Sequence, residues 1–177
     1  MVRRVIKLDQ FYTNPEVVDL CLGSIDLDEY DLAIEPSAGS GAFYNKLTIE
    51  KIGIDLCPKD IKDVFELDYL KITCDEQELK EKTLVIGNPP FGKSSSLAVK
   101  FFNHSARFCA TIAFIVPKTF KKPSIQNRLN LNFHLKYELD LPQNSFYLPD
   151  GTAYDVPCAW QVWKRGEKKR KKIKMSL

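Results

Sequence analysis

TLVIGNPPFGKS, residues 83–94, opens with an apolar, strand-like run and breaks into a loop that fits two different chemistries. Gly87 to Ser94 satisfies G-x-x-x-x-G-K-[ST], the pattern of a phosphate-cradling loop. The same residues contain Asn88-Pro89-Pro90-Phe91, a tetrapeptide rich in acceptors. The backbone separates the two readings. A phosphate loop wraps its ligand with successive main-chain N–H groups, whereas Pro89 and Pro90 have none and push the residues before them toward extended dihedrals. Asn88-Pro89-Pro90 is therefore expected to be stiff and extended, projecting carbonyls and one carboxamide. Nor does a later strand end in an Asp suited to Mg²⁺, since ATIAFIV runs into Pro117-Lys118. An Asn carboxamide and a proline carbonyl suit an exocyclic amine: they accept its two N–H bonds and leave its lone pair aimed outward. Phe91 offers a face on which a planar base stacks. Standing alone, the tetrapeptide also reads as a rigid turn without chemistry.

Around this loop, apolar runs alternate with helical patterns. Strands are expected near 31–35, 51–55, 63–67, 83–87, 110–116, 134–141 and 156–163, several so continuously apolar that they read as buried parallel strands. Helical patterns fall near 15–24, 41–49, 75–81, 95–108 and 124–130, the first with Pro15 at its opening position and Asn14 as its cap. Five β-α steps followed by two β runs predict an α/β fold: a doubly wound, mostly parallel seven-stranded sheet closed by a C-terminal antiparallel hairpin. In such sheets ligands bind beyond the carboxyl ends of the strands.

The 177 residues suit one domain with a real core. No run of about 18 apolar residues offers a membrane span, and MVRRVIKLDQFY lacks the apolar stretch of a signal peptide, so an intracellular protein without membrane contact is expected. The five cysteines are scattered without a C-x-x-C pair, which argues against a disulfide framework and against a zinc cluster. His104 and His134 lie among apolar neighbours and read as structural or surface residues rather than catalytic ones. The net charge of +3 hides an asymmetry, because residues 164–174, KRGEKKRKKIK, carry +7 and leave the body at −4. Residues 1–163 are expected to form the domain, and 164–177 a basic, disordered tail that either contacts a polyanion, carries a localisation signal or is merely solvated.

The strand at DLAIE runs into Glu35-Pro36-Ser37-Ala38-Gly39-Ser40-Gly41-Ala42-Phe43, a glycine-bearing strand-to-helix turn. Asp55 follows Glu35 by 20 residues and ends the next strand in GIDLCP, where an acid meets ribose hydroxyls in nucleoside-binding α/β folds. Asp68, in ELDYL, ends the third strand at the same sheet edge; its carboxylate suits an adenine amino group, with a helix or turn cap as the alternative.

In this order the motifs resemble the S-adenosylmethionine-dependent N6-adenine nucleic-acid methyltransferases, with the motif order of the gamma type, over roughly residues 9–163. Asp9 to Glu16 is similar to their F-x-T segment, with Phe11, Tyr12 and Thr13 at the methionine end of the cofactor. Glu35 to Phe43 resembles their glycine-rich motif, Asp55 with Leu56 the ribose-binding site, Asp68 with Tyr69 the adenine contact, and Asn88 to Phe91 the catalytic N-P-P-F. The resemblance implies a Rossmann-like methyltransferase fold, S-adenosyl-L-methionine as cofactor, and direct methyl transfer to an exocyclic nitrogen without a metal or strong base. It also implies an aromatic from the late β region packing on the extruded base: Phe146 or Tyr147, of which Phe146 is the first candidate, with core packing as its alternative.

Lys93, Lys118, Lys121, Lys122 and Arg128, expected near the active edge, suit phosphates, with plain surface solvation as the alternative. DNA is the favoured polymer and RNA the next. Relatives that read a duplex sequence carry a recognition domain after the catalytic one. Here about 14 residues follow the last expected strand, so target recognition is expected from a partner chain or from RNA structure, or else to be weak. Two other readings stay open: methylation of a protein glutamine, and a cofactor-binding subunit that has lost activity.

Overall fold

The computed structural model describes residues 11–39, 41–58, 62–73 and 80–176. Its central sheet is built from the runs that sequence marks as continuously apolar. Strand β2 (Leu32–Glu35), β3 (Lys51–Asp55), β4 (Val64–Glu66), β5 (Thr83–Gly87) and β6 (Thr111–Pro117) run parallel. All five residues of β5 and the first six of β6 are buried, as expected of strands covered on both faces. Strand β10 (Cys158–Arg165) lies antiparallel between β6 and β7 (Phe133–Asp140), giving seven strands in the order β4-β3-β2-β5-β6-β10-β7. The expected antiparallel pair is thus present, with β10 inserted inside the sheet and β7 left at its edge. Pro157 explains why β10 starts two residues later than expected, since proline lacks the N–H that pairing requires.

Helix α1 (Pro15–Leu22) covers one face together with Phe43, Leu47 and Trp160. Helix α2 (Ser96–Ser105), through Phe101 and Phe102, and the short α3 (Pro123–Gln126), through Ile125, cover the other together with Phe120 of the 3₁₀ turn Lys118–Lys121. Burial on both faces of the central strands is what favours this layering.

Three local expectations change. Residues 41–49 form a single 3₁₀ turn at Tyr44–Lys46, because aromatic, Asn and β-branched residues make a short helix unfavourable. The Lys51 ammonium donates to the Leu47 carbonyl and to the Tyr44 carbonyl, which also accepts the turn's own bond from Leu47 N. The helix expected over 124–130 stops after Gln126, and Asn130 instead bonds the Asn132 N–H. Asn14 precedes α1 as expected, but its amide donates to Asn144 O rather than capping the helix. The helix expected over 75–81 falls largely outside the described residues, as do Asp9, Gln10 and Ser40 of the motifs.

A second, three-stranded sheet has no counterpart in the sequence reading. Strand β1 (Tyr12–Thr13) pairs antiparallel with β8 (Phe146–Tyr147), and β8 with β9 (Ala153–Tyr154). It ties the F-x-T segment to the long β7–β10 connection, and Asn14 N donating to Ser145 O extends the tie.

The basic segment makes defined contacts with the rest of the chain. Gly166 N donates to Asn132 O and Arg170 N to Leu131 O, while the Arg170 guanidinium donates to the carbonyls of Phe133, Gln126 and Leu129 and covers the Trp163 ring. Arginine's planar donors match several carbonyls at once, which a solvated tail would not order.

Candidate active site

The chain proceeds from β2 outward to β3 and β4, then returns to the other side of β2 at β5. The carboxyl ends of β2 and β5 therefore flank the topological switch point, where doubly wound sheets open a crevice. A cavity of about 460 Å³ lies there. Of the residues singled out from sequence, Phe11, Tyr12, Pro36, Ser37, Gly39, Asp55, Leu56, Asp68, Tyr69, Asn88, Pro89 and Pro90 line it. A narrower recess adjoins it, bounded by Thr13, Glu35, Ala38 and Phe43 along with Asn88.

The glycine turn and the Asn-Pro-Pro loop are bonded together across this crevice. Ser37 Oγ donates to Asn88 O at 3.0 Å, and Asn88 Nδ2 reaches Thr13 Oγ1 at 3.4 Å. With its amide nitrogen directed to Thr13, Asn88 keeps Oδ1 buried and without a hydrogen-bond partner. A buried acceptor left in that state costs free energy unless a donor arrives.

Glu35 presents a second such atom. Its side chain is buried, Oε2 has no partner, and Gly87 leaves the room: a Cβ there would stand 3.0 Å from Glu35 Cγ. Burial, and then the neighbouring Asp55 charge, push the Glu35 carboxyl well above the ordinary carboxylate range, with the Tyr44 N–H and the Lys51 ammonium opposing.

Asp55 spends one lone pair of each oxygen on the backbone, Oδ2 accepting from Gly39 N and Oδ1 from Cys57 N, both at 2.8 Å. Gly39, at φ 56°, and Gly41, at φ 87°, supply the left-handed bends of the turn. Each Asp55 oxygen retains acceptor capacity toward the cavity. Asp68 caps the 3₁₀ turn Tyr69–Lys71 by accepting from Leu70 N, so the cap reading holds for one oxygen, while the residue also lines the cavity. Tyr69 is a core residue whose hydroxyl meets Ser105 Oγ at 2.6 Å. Leu56 and Leu67 are exposed apolar side chains on the cavity rim.

The loop after the tetrapeptide is bent in an unusual way. Gly92 (φ 70°, ψ −176°), Ser94 (φ 53°) and Ser95 (φ 64°) all have positive φ. The bend brings the Phe91 carbonyl to the N–H groups of Leu97 and Ala98, which open α2. Those donors are therefore spent on the chain itself and do not form a phosphate cradle. Such backbone strain concentrates at functional loops. Ser95 Oγ meets Thr119 Oγ1 at 2.6 Å and ties the loop to the end of β6.

Phe91 is half-buried and meets Phe11 edge-on at 5.8 Å. Phe146 is fully buried, 4.9 Å from Phe11, so it packs the core and presents no free face; Tyr147 is half-buried against Tyr12. Phe43 is likewise buried, stacked on Trp160. Lys93 and Lys118 are exposed near the carboxyl ends of β5 and β6. Lys121 is engaged by Glu138 and Asp140. Sequence reasoning missed Cys57, Leu67, Leu70, Leu97 and Phe101 in the lining. The i, i+4 spacing of Leu97 and Phe101 on α2 was the available signal.

Comparison with known proteins places this architecture. A family model described as the EDM2 methyltransferase-like domain matches residues 12–164. Protein ENHANCED DOWNY MILDEW 2 of Arabidopsis thaliana is 29% identical over 171 residues, covering 89% of this chain and 12% of that protein, so the chain spans about an eighth of the relative's length. Among solved structures, the 23S rRNA methyltransferase ErmE superposes with a TM-score of 0.63 at 13% identity, over 88% of this chain and 70% of that one. A dimethyladenosine transferase from Plasmodium falciparum gives a TM-score of 0.55 at 15% identity, over 88% and 63%. At such identities the likeness is one of fold.

Proposed function

The chain belongs to the EDM2 methyltransferase-like domain family, and from that premise we propose that it transfers the methyl group of S-adenosylmethionine to the exocyclic N6 of adenine in nucleic acid. The observation that carries the reading is Asn88 Oδ1, buried at the switch point without a donor and oriented by the bond from Asn88 Nδ2 to Thr13.

The lining fits the cofactor. The Glu35 carboxyl, unsatisfied in the narrow recess, suits an ammonium group, whose charge would restore its ionised form. The remaining lone pairs of Asp55 suit ribose hydroxyls, the Asp68 oxygen that does not cap the turn, 4.0 Å from the Lys71 ammonium, keeps acceptor capacity that suits an adenine amine, and Leu56 and Leu67 supply apolar walls. When bound, the cofactor supplies an electrophilic methyl group on a sulfonium.

The chain's own contribution is positioning and hydrogen bonding. An aromatic amine is a poor nucleophile because its lone pair is delocalised into the ring. Asn88 Oδ1 and the Pro89 carbonyl accept its two N–H bonds, favour a more tetrahedral nitrogen and hold it in line. Phe91 stacks on the base, and Lys93 with Lys118 meets flanking phosphates.

The test is tritiated methyl transfer to matched single-stranded DNA, duplex DNA and RNA, with nucleoside analysis of the product. N6-methyladenine on one polymer, lost in Asn88→Ala while cofactor binding is retained, is the expected result. Cofactor binding without N6-methyladenine on any polymer overturns the reading, and methyl on protein glutamine would replace it.

A further inference from the structure

Residues 168–174 hold five exposed lysines, Lys168, Lys169, Lys171, Lys172 and Lys174, on a backbone fixed to the body of the protein. Arg165 and Arg170 do the fixing. Arg165 donates to the carbonyls of Cys109 and Ala106 and lies over the Phe133 ring, and Arg170 bonds three carbonyls beside Trp163. Further along, Asn127 and Ile173 exchange two bonds, with Asn127 Nδ2 donating to Ile173 O and Ile173 N to Asn127 Oδ1. His134 Nε2 meets Lys168 O at 2.7 Å.

Two properties of this arrangement call for a polyanion. Among the described residues, none of the five lysines takes part in an ion pair, whereas Lys46, Lys71, Lys121 and Lys164 each have a carboxylate. Fixing like charges together opposes their mutual repulsion, and a ligand that neutralises them relieves it. Their preset spacing also lowers the entropy lost when such a ligand binds.

Direction points to nucleic acid. As the segment advances from Gly166 to Ile173, its main-chain and side-chain partners step back from Asn132 through Leu131 to Asn127. It therefore leaves the amino edge of the sheet, where β10 ends, and climbs toward exposed Arg128, Lys122 and Lys118, the last of these just beyond β6. That edge also carries Asn88. A receptor that takes an extended basic peptide needs its main chain free. Here Gly166, Arg170 and Ile173 N–H and the Lys168 and Ile173 carbonyls are already bonded.

We propose that residues 168–174, continued by Arg128, Lys122 and Lys118, form a preformed track for a nucleic-acid phosphate backbone that leads a strand along the flank of the sheet to the cleft. The proposal rests on the nucleic-acid reading of the active site. It adds where the strand lies away from the reacting base, through contacts that carry affinity without reading sequence.

The test uses the full chain and a fluorescent, adenine-free oligothymidine or oligouridine, titrated by anisotropy between about 50 and 200 mM salt. Replacing all five lysines by glutamine is expected to weaken binding about a hundredfold near 100 mM salt. It should flatten the dependence of log K on log salt by about 2 to 3.5, at roughly 0.7 per phosphate on a single strand. Unchanged affinity and slope in the five-lysine variant, or no binding by the wild-type chain, overturns the track. Equal binding of charge-matched polyglutamate would assign the surface to an acidic protein and likewise overturn it. Lysine-dependent binding without adenine methylation would uphold the track and sink the adenine reading. Methylation with lysine-independent binding would do the reverse.

Discussion

Gly92→Ala tests whether the strained bend after Phe91 holds the Asn88–Phe91 loop, to which the proposal assigns catalysis, in place. At φ 70° and ψ −176°, Gly92 occupies a region almost closed to other residues, so alanine there costs about 1–3 kcal/mol in backbone strain. The added Cβ would lie 2.5 Å from Leu97 Cβ and 3.0 Å from Leu97 N. Ordinary carbon contacts begin near 3.5 Å, so relief takes a shift of about 1 Å or an overpacking cost of about 1–3 kcal/mol more. Because Phe91 O accepts from Leu97 N and Ala98 N, any shift of Leu97 is passed to Phe91 and to the Pro-Pro step before it. The melting temperature is expected to fall by about 2–4 °C for each kcal/mol that the loop does not relax. A displacement near 1 Å at the reacting group predicts methyl transfer slower by about a hundredfold. Cofactor affinity, which the proposal assigns to the Gly39 turn and Asp55 on the other side of the crevice, should change only a few-fold. Thermal melting, isothermal titration with S-adenosylmethionine and tritium transfer measure the three quantities. A Gly92→Ala protein with wild-type melting and wild-type transfer would refute the role given to the bend.

Thr13→Val removes the acceptor that orients Asn88 Nδ2 at 3.4 Å; the turnover rate should drop roughly three- to tenfold, the worth of one neutral hydrogen bond, with cofactor affinity little changed by titration. Glu35→Gln tests the buried carboxyl through the pH dependence of stability. Its folded-state pKa is raised by burial and by Asp55, so the native state keeps a proton that the unfolded chain releases near pH 4.3. Stability without cofactor should then decline as pH rises from about 4.3 toward the folded-state value, and melting curves of Glu35→Gln across pH 4–8 should lose this slope. An identical slope in the variant would remove Glu35 as its source. Arg170→Ala deletes three carbonyl bonds and the Trp163 contact; a destabilisation of about 1–3 kcal/mol is expected, read by chemical denaturation, together with faster proteolysis of residues 168–174.

Most of the sheet was legible because its strands are the apolar runs. TLVIG and ATIAFIV are buried on both faces, so their sequences carry the burial directly. The residues at their carboxyl ends could be placed at one edge for the same reason: in a doubly wound sheet every parallel strand ends on the same side. Hence Glu35, Asp55, Asp68 and Asn88 were identified together and do border one crevice. The 41–49 and 124–130 helices were misjudged because short patterns of aromatic and Asn residues leave helix and turn close in free energy.

What sequence by itself determined was therefore the order of the parallel strands' motifs and the chemistry of the loop. Local residue types set both, through apolar burial and the missing N–H groups of Pro89 and Pro90. Tertiary structure alone decided how that loop is held. Strands of two residues have no periodicity to read, and β1 finds β8 only because the folded sheet brings Thr13 opposite Phe146. That pairing buries Phe146 against Phe11, removing it as a base platform, and sets Thr13 beside Asn88. It likewise took the fold to turn a run of basic residues into an anchored ridge. Arg165 and Arg170 find their carbonyl partners at the C-terminal end of α2, after α3 and at the start of β7, all distant in sequence and adjacent only once the sheet has closed.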